Sequence, residues 1–303
     1  MFDTKKHKLK IVLLVVSAGL CQAASASEEE LAVNFSYSVI EEENINRGFL
    51  ENDVHADQIN SVTVGLKTEI EISKLSAFFI VVDFVNSRYS DYSKLSSDKI
   101  TGRLDYVFQT GYRFSDPLYT LSFSVEESDY DSQLRDSTTL GLAAKILKRM
   151  TTRIKLSSGL SLTQREADTN VFDIDSARLF VLLDYTITTK WSAYVSHALT
   201  KGGSVSTITT LDPDLLAQQI GYATINEADA SGALLPDDVF GGFAAGQFAY
   251  QNDAQHAVTE FGTNFSFSGQ QAIDVSVMTV STELDTGLTY ENYLVLFSYL
   301  ARF

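Results

Sequence analysis

Apolar and polar residues alternate along most of this chain with a period of two. In one segment, Tyr119, Leu121, Phe123 and Val125 are each separated by a single threonine or serine. This period is typical of a β-strand with one face in apolar surroundings. After Ala26 no run reaches eighteen consecutive apolar residues, so the pattern does not predict a membrane-spanning helix.

The alternating segments predict twelve antiparallel strands that close into one barrel, because each strand can then present its apolar face to lipid and its polar face to the interior. We predict strands at Leu31–Val39, Asn60–Ile70, Leu75–Asn86, Lys99–Phe114, Leu118–Glu126, Thr138–Leu147, Thr152–Thr163, Ser176–Ile187, Trp191–Thr200, a tenth ending at Phe267, Ala272–Ser281 and Tyr290–Phe303.

The predicted connections alternate between tight turns, such as Ser115–Pro117, and longer loops, such as Glu41–Ile59. Short periplasmic turns and long external loops are the usual asymmetry of such barrels, and two periplasmic ends require an even number of strands.

One region leaves the strand count open. Phe243–Tyr250 and Ala257–Phe267 form either one long strand, which gives twelve, or two strands, in which case a further hidden strand lies within Ser204–Val239 and the count is fourteen. We prefer twelve because Ser204–Val239 contains two prolines and shows no sustained alternation.

The first 26 residues have the order of a secretory signal peptide. Four lysines precede the apolar stretch Ile11–Leu20, and Ala24-Ser25-Ala26 follows as a cleavage site. The only cysteine, Cys21, lies inside this segment. We therefore expect residues 1–26 to be removed and residues 27–303 to form one barrel without disulfides.

The last strand alternates in the same way and ends on an aromatic residue. Its outward series consists of Tyr293, Val295, Phe297, Tyr299, Ala301 and Phe303. This ending resembles the C-terminal signature of Gram-negative outer-membrane β-barrel proteins. The resemblance implies a place in the bacterial outer membrane and recognition of this strand by the barrel-assembly machinery.

The charge is strongly negative, and most of it falls in the predicted loops. Nineteen basic and 38 acidic residues follow residue 26, a net charge of −19. The loop acids include Glu41, Glu42, Glu43, Asp129, Asp131, Asp136, Asp237 and Asp238. They predict either a solvated surface or sites for divalent cations, which would bind directly or form bridges to lipopolysaccharide. The spacing of Asp129 and Asp131, and of Asp173 and Asp175, is that of cation ligands, but it is a weak signal. So acidic a chain is a poor partner for nucleic acid.

The positions predicted to face the interior carry nearly balanced charges. They are Lys67, Glu69, Asp83, Arg103, Asp105, Arg113, Glu126, Lys145, Arg153, Lys155, Arg178, Asp184, Glu260, Asp274 and Arg302. Such a set either lines a polar pore or forms ion pairs that close a narrow barrel.

Linear motifs of catalysis are not apparent. The sequence pattern of outer-membrane phospholipases is a His with a Ser two residues later. This pattern is absent at His197, which is followed by Ala198 and Leu199. His55 between Asp53 and Asp57 is interpreted as part of a solvated loop. We predict neither an enzyme nor a cofactor. The leading function is a narrow passive channel for small hydrophilic solutes or ions. The alternatives are a non-conducting barrel that acts through its acidic loops and, last, a surface lipid hydrolase.

Overall fold

The computed structural model is a closed antiparallel β-barrel, and it describes residues 31–48, 53–209, 234–242, 246–285 and 287–303. The predicted signal peptide lies outside the described residues. The strands are β1 (Ala32–Glu42), β2 (Asp57–Ser73), β3 (Ser76–Tyr89), β4 (Ser97–Gln109), β5 (Leu118–Tyr130), β6 (Ser137–Arg149), β7 (Ile154–Ala167), β8 (Ile174–Thr186), β9 (Trp191–Thr209), β10 (Leu234–Pro236), β11 (Gln247–Ser266), β12 (Gln271–Leu284) and β13 (Thr289–Arg302).

Twelve long strands form the wall, and β10 is a short addition to the upper part of β11. Each long strand pairs with its neighbour along the chain, β13 pairs with β1, and β9 pairs with β11 to close the ring. The prediction of twelve strands is confirmed, because Gln247–Ser266 is one continuous strand. Within the described part of the chain no helix is long and apolar enough to cross a bilayer.

The outward positions form the apolar surface that a membrane barrel needs. Large side chains on this surface are about half exposed, as at Leu142 (56%) and Leu179 (58%). An aromatic girdle lies near the turns: the rings of Phe78, Tyr106, Phe108 and Tyr119 follow one another at centroid distances of 5.0 to 5.4 Å. We assign this end to the periplasm, since periplasmic turns are short and extracellular loops are longer.

The strand bounds differ from the predicted ones mainly at the extracellular end. β9 continues to Thr209, nine residues beyond the predicted end, and residues 210–233 lie outside the described part of the chain. At the other end, β4 stops at Gln109, so residues 110–117 form a turn in which the Asp116 carboxylate accepts a hydrogen bond from the backbone N–H of Arg113 at 2.8 Å. Alternation alone had extended the strand into this turn.

Cysteine labelling on intact cells tests the assignment of the two ends. Asn170 lies exposed in the β7–β8 loop, and Gly269 lies exposed in the β11–β12 turn with open space around its Cα. A membrane-impermeant maleimide should label Asn170→Cys and leave Gly269→Cys unlabelled until the outer membrane is permeabilised. The reverse result would invert the orientation.

Candidate functional site

Most of the charges that were predicted to face the interior share one parity of the barrel strands. These side chains occupy strand positions of the opposite parity to the lipid-facing apolar residues: Lys67, Glu69, Asp83, Arg103, Asp105, Glu126, Lys145, Lys155, Arg178, Asp184, Glu260, Asp274 and Arg302. Arg113 and Arg153 are corrections to the predicted set. Both lie in periplasmic turns next to the ends of β4 and β7, and neither occupies an inward strand position.

Two ion pairs on the inner wall keep contact with solvent. Arg103 Nε lies 3.2 Å from Asp105 Oδ2, and Lys155 Nζ lies 3.7 Å from Asp184 Oδ1. The basic partners are 40% and 48% exposed. A cavity of about 590 Å³ is lined in part by Lys67, Arg103, Asp105 and Lys145. Exposed charges around a cavity indicate space for water within this part of the barrel.

Two carboxylates share one tyrosine on the wall formed by β9, β11 and β12. The Tyr194 hydroxyl lies 2.9 Å from Asp274 Oδ2 and 3.2 Å from Glu260 Oε1, and Ser196 Oγ donates to Glu260 Oε2 at 3.3 Å. Gly262 is the direct partner of Tyr194 in the ladder. The ring of Tyr194 lies where a side chain at Gly262 would be, so the glycine allows the phenol to reach both acids.

Three extracellular loops share one design that the sequence interpretation missed. Each contains a single 3-10 turn, at Ser93–Leu95, Gln133–Arg135 and Asn170–Phe172. The residue after each turn accepts a hydrogen bond from the backbone N–H at the end of the preceding strand: Tyr89 to Ser96, Tyr130 to Asp136 and Ala167 to Asp173. The detectable signal was an Asp that recurs at 91, 131 and 168, just before each turn.

These hydrogen bonds correct the expectation of a solvated surface for some of the loop acids, whereas Glu41, Glu43 and Asp131 are exposed. Asp136 is 6% exposed and Asp237 is fully buried. The carboxylate of Asp57, 5% exposed, accepts hydrogen bonds from the backbone N–H groups of Ser90 and Tyr92. Backbone N–H donors stabilise a buried carboxylate. Part of the negative charge therefore holds the loops in place.

The segment 234–242 crosses the extracellular mouth and is held there by a buried ion pair. Both carboxylate oxygens of Asp237 accept hydrogen bonds from the Arg135 guanidinium, at 3.1 and 2.9 Å, and the two side chains are 0% and 9% exposed. Thr207 also donates to Asp237, at 2.5 Å. The guanidinium lies 4.3 Å from the ring centroid of Phe172. This ion pair thus joins the loops after β5 and β7 and the end of β9 to the segment.

Neighbouring contacts extend the attachment to other loops. The Asp238 carboxylate accepts hydrogen bonds from Ser132 Oγ at 2.7 Å and from Lys94 Nζ at 3.2 Å. Phe240 stacks on His55 with a centroid distance of 5.3 Å and packs against Tyr92. His55 is therefore packed, whereas the sequence interpretation placed it in a solvated loop. Burial, reinforced by the negative charges of Asp57 and Asp91, raises the pKa of Tyr92.

The residues of the predicted assembly signal lie on the last strand of the barrel. Tyr293, Val295, Phe297 and Tyr299 lie on the outer face of β13, and Phe303 exchanges two backbone hydrogen bonds with Val33. Recognition of this strand by assembly machinery stays a prediction, as do lipopolysaccharide and divalent cations as partners. Among the described residues, no group of three or more His, Cys, Asp and Glu side chains is placed to hold a metal ion.

Comparisons with known proteins identify the fold. No protein-family model matches the sequence, and no curated protein matches it. The chain is similar in structure to the COG4313 outer membrane channel from Pseudomonas putida F1, with a TM-score of 0.55 and 10% identity over 92% of this chain and 97% of that one. The NanC porin is aligned over 90% of this chain and 98% of its own, with a TM-score of 0.46 and 7% identity. At these identities the similarity establishes the fold alone: a twelve-stranded barrel of the bacterial outer-membrane class.

Proposed function

We propose that this protein is a narrow passive channel for small hydrophilic solutes or ions. The observation that carries the proposal is the solvent-exposed charge on the inner wall, above all at Lys155 and at Arg103, which lines a cavity of about 590 Å³. A barrel closed by its own ion pairs would bury these groups, because unsolvated charge needs full compensation.

The balance of charge differs around the ring. The inward acids Glu260 and Asp274 belong to β11 and β12, whereas β4 to β8, on the other side of the ring, carry basic residues such as Arg103 together with acids such as Asp105. A solute that crosses the barrel therefore meets charges of both signs. Polar and charged linings set the selectivity of membrane pores.

Single-channel recording in planar bilayers tests the proposal. The wild type should conduct and prefer cations at low salt, because the chain is strongly acidic. This preference should weaken as salt rises, since the Debye length falls from about 30 Å at 0.01 M to about 3 Å at 1 M. Arg103→Gln should change the unitary conductance, whereas Lys201→Gln, on the outer face of β9, should not.

The packed mouth favours one second candidate, a non-conducting barrel that acts through its loops. Its support is the complete burial of Asp237 and the near-complete burial of Phe172 under the described loops. This candidate predicts that the wild type stays silent across a wide voltage range. It also predicts silence after the Arg135–Asp237 contact is removed, and that pair of results would replace the channel proposal.

A further inference from the structure

A group of six neighbouring apolar side chains faces the barrel interior on the wall formed by β11, β12, β13 and β1. This apolar lumen patch consists of Ile40, Val258, Met278, Val280, Leu294 and Leu296. Direct ladder partners connect its members: Val258 with Val280, Met278 with Leu294, and Leu296 with Ile40. All six are partly exposed, but less so than the lipid-facing Val277 and Val295 beside them, which are each 48% exposed. The interior of a conducting barrel is ordinarily polar. A water-filled lumen therefore does not explain why these six apolar side chains face it.

Carboxylates border the apolar lumen patch. Glu260 is the direct partner of Met278, and Glu42 is the direct partner of Leu294. Asp274 lies nearer the periplasmic end of β12 and is joined to Glu260 through the Tyr194 hydroxyl. Among the described inward positions of these four strands, the basic side chains are His256 near the mouth and Arg302 at the periplasmic rim. The wall therefore combines an apolar surface with negative charge.

We infer that this wall is a binding site for small organic cations that carry an apolar body. The body would lie against Met278 and Leu294, and the positive group would face Glu260 and Asp274. An inorganic cation gains nothing from the apolar part, and an organic anion is repelled by the acids. The inference deepens the proposed channel function and rests on it for the access of solutes to the interior.

Equilibrium dialysis against the refolded protein tests the binding directly, with protein-free micelles as the blank. Benzyltrimethylammonium should bind. Tetramethylammonium, which keeps the charge and lacks the ring, should bind about tenfold more weakly or worse, because burial of an aromatic ring provides much of the free energy. Benzenesulfonate, which keeps the ring and reverses the charge, should not bind. Equal binding of all three, or no binding of benzyltrimethylammonium, would overturn the inference.

Two variants and a matched control locate the site. Glu260→Gln and Leu294→Asn should each weaken the binding of benzyltrimethylammonium by about tenfold. Leu182→Asn makes the same change at an inward leucine of β8, outside the patch, and should leave binding unchanged. A heat-modifiable band on gels shows that each variant is folded. Equal weakening by Leu182→Asn would overturn the inference.

Dialysis does not depend on conduction, so the two proposals fail separately. A protein that conducts in bilayers but does not retain benzyltrimethylammonium overturns the binding site and keeps the channel. A protein that retains the probe but never conducts overturns the channel and keeps the site on the inner wall.

Discussion

Replacement of Arg135 by methionine should release the 234–242 segment from the extracellular mouth and leave the barrel intact. Asp237 is fully buried, and the variant leaves its carboxylate without a guanidinium partner. Removal of one partner of a buried ion pair costs about 3–5 kcal/mol, which corresponds to about a hundredfold to several-thousandfold in an opening equilibrium. Hydrogen exchange should accelerate by this order at the Val239 and Gly242 amides, which donate to Asp237. The unitary conductance should increase.

Two controls separate release of the segment from general damage. Amides in the β6–β7 ladder should exchange as in the wild type, because their hydrogen bonds belong to the closed barrel. The double variant Arg135→Met, Asp237→Leu removes both charges, and it should recover much of the lost protection since no unpaired carboxylate remains. Unchanged exchange in Arg135→Met would show that the ion pair does not hold the segment. Faster exchange with unchanged conductance would show that the segment does not obstruct the path.

Val181→Lys should destabilise the barrel by about 2–4 kcal/mol, the cost of a lysine on the lipid face near mid-membrane. Val181 lies on the outer face of β8 between the lipid-facing Leu179 and Leu183, and it is 42% exposed. The free energy of unfolding, measured by denaturant titration of the protein in lipid vesicles, should fall by this amount.

The neighbouring residue provides the matched control. Leu182 faces the interior, where its ladder partners are Ser157 and Ser196. Leu182→Lys should therefore cost clearly less than Val181→Lys, because the interior offers water and polar groups to the ammonium. Equal costs, or the reverse order, would contradict the register of β8.

The strands and their two faces were predictable because the membrane imposes a rule on every residue of the wall. A strand surrounded by lipid on one side must alternate, and parity then assigns each side chain to a face. The inward positions of Arg103, Lys155 and Glu260 follow from this rule. It fails at Arg113 and Arg153, since a sequence shows alternation but does not show where backbone pairing stops and a turn begins.

The contacts between distant segments were decided by the tertiary structure. At the extracellular mouth the Arg135 guanidinium meets Asp237 across 102 positions of the chain, and inside the barrel the Tyr194 hydroxyl meets Asp274 across 80. Such contacts have no local period, because they depend on which strands and loops meet after the barrel has closed. The sequence by itself determined an antiparallel barrel with a lipid face and a charged interior, and the continuous strand Gln247–Ser266 decided for twelve strands over fourteen. Only the folded chain turned loop acids that look solvated into buried attachments and gathered six apolar residues from four strands into one patch, since closure of the ring brings β1 beside β13.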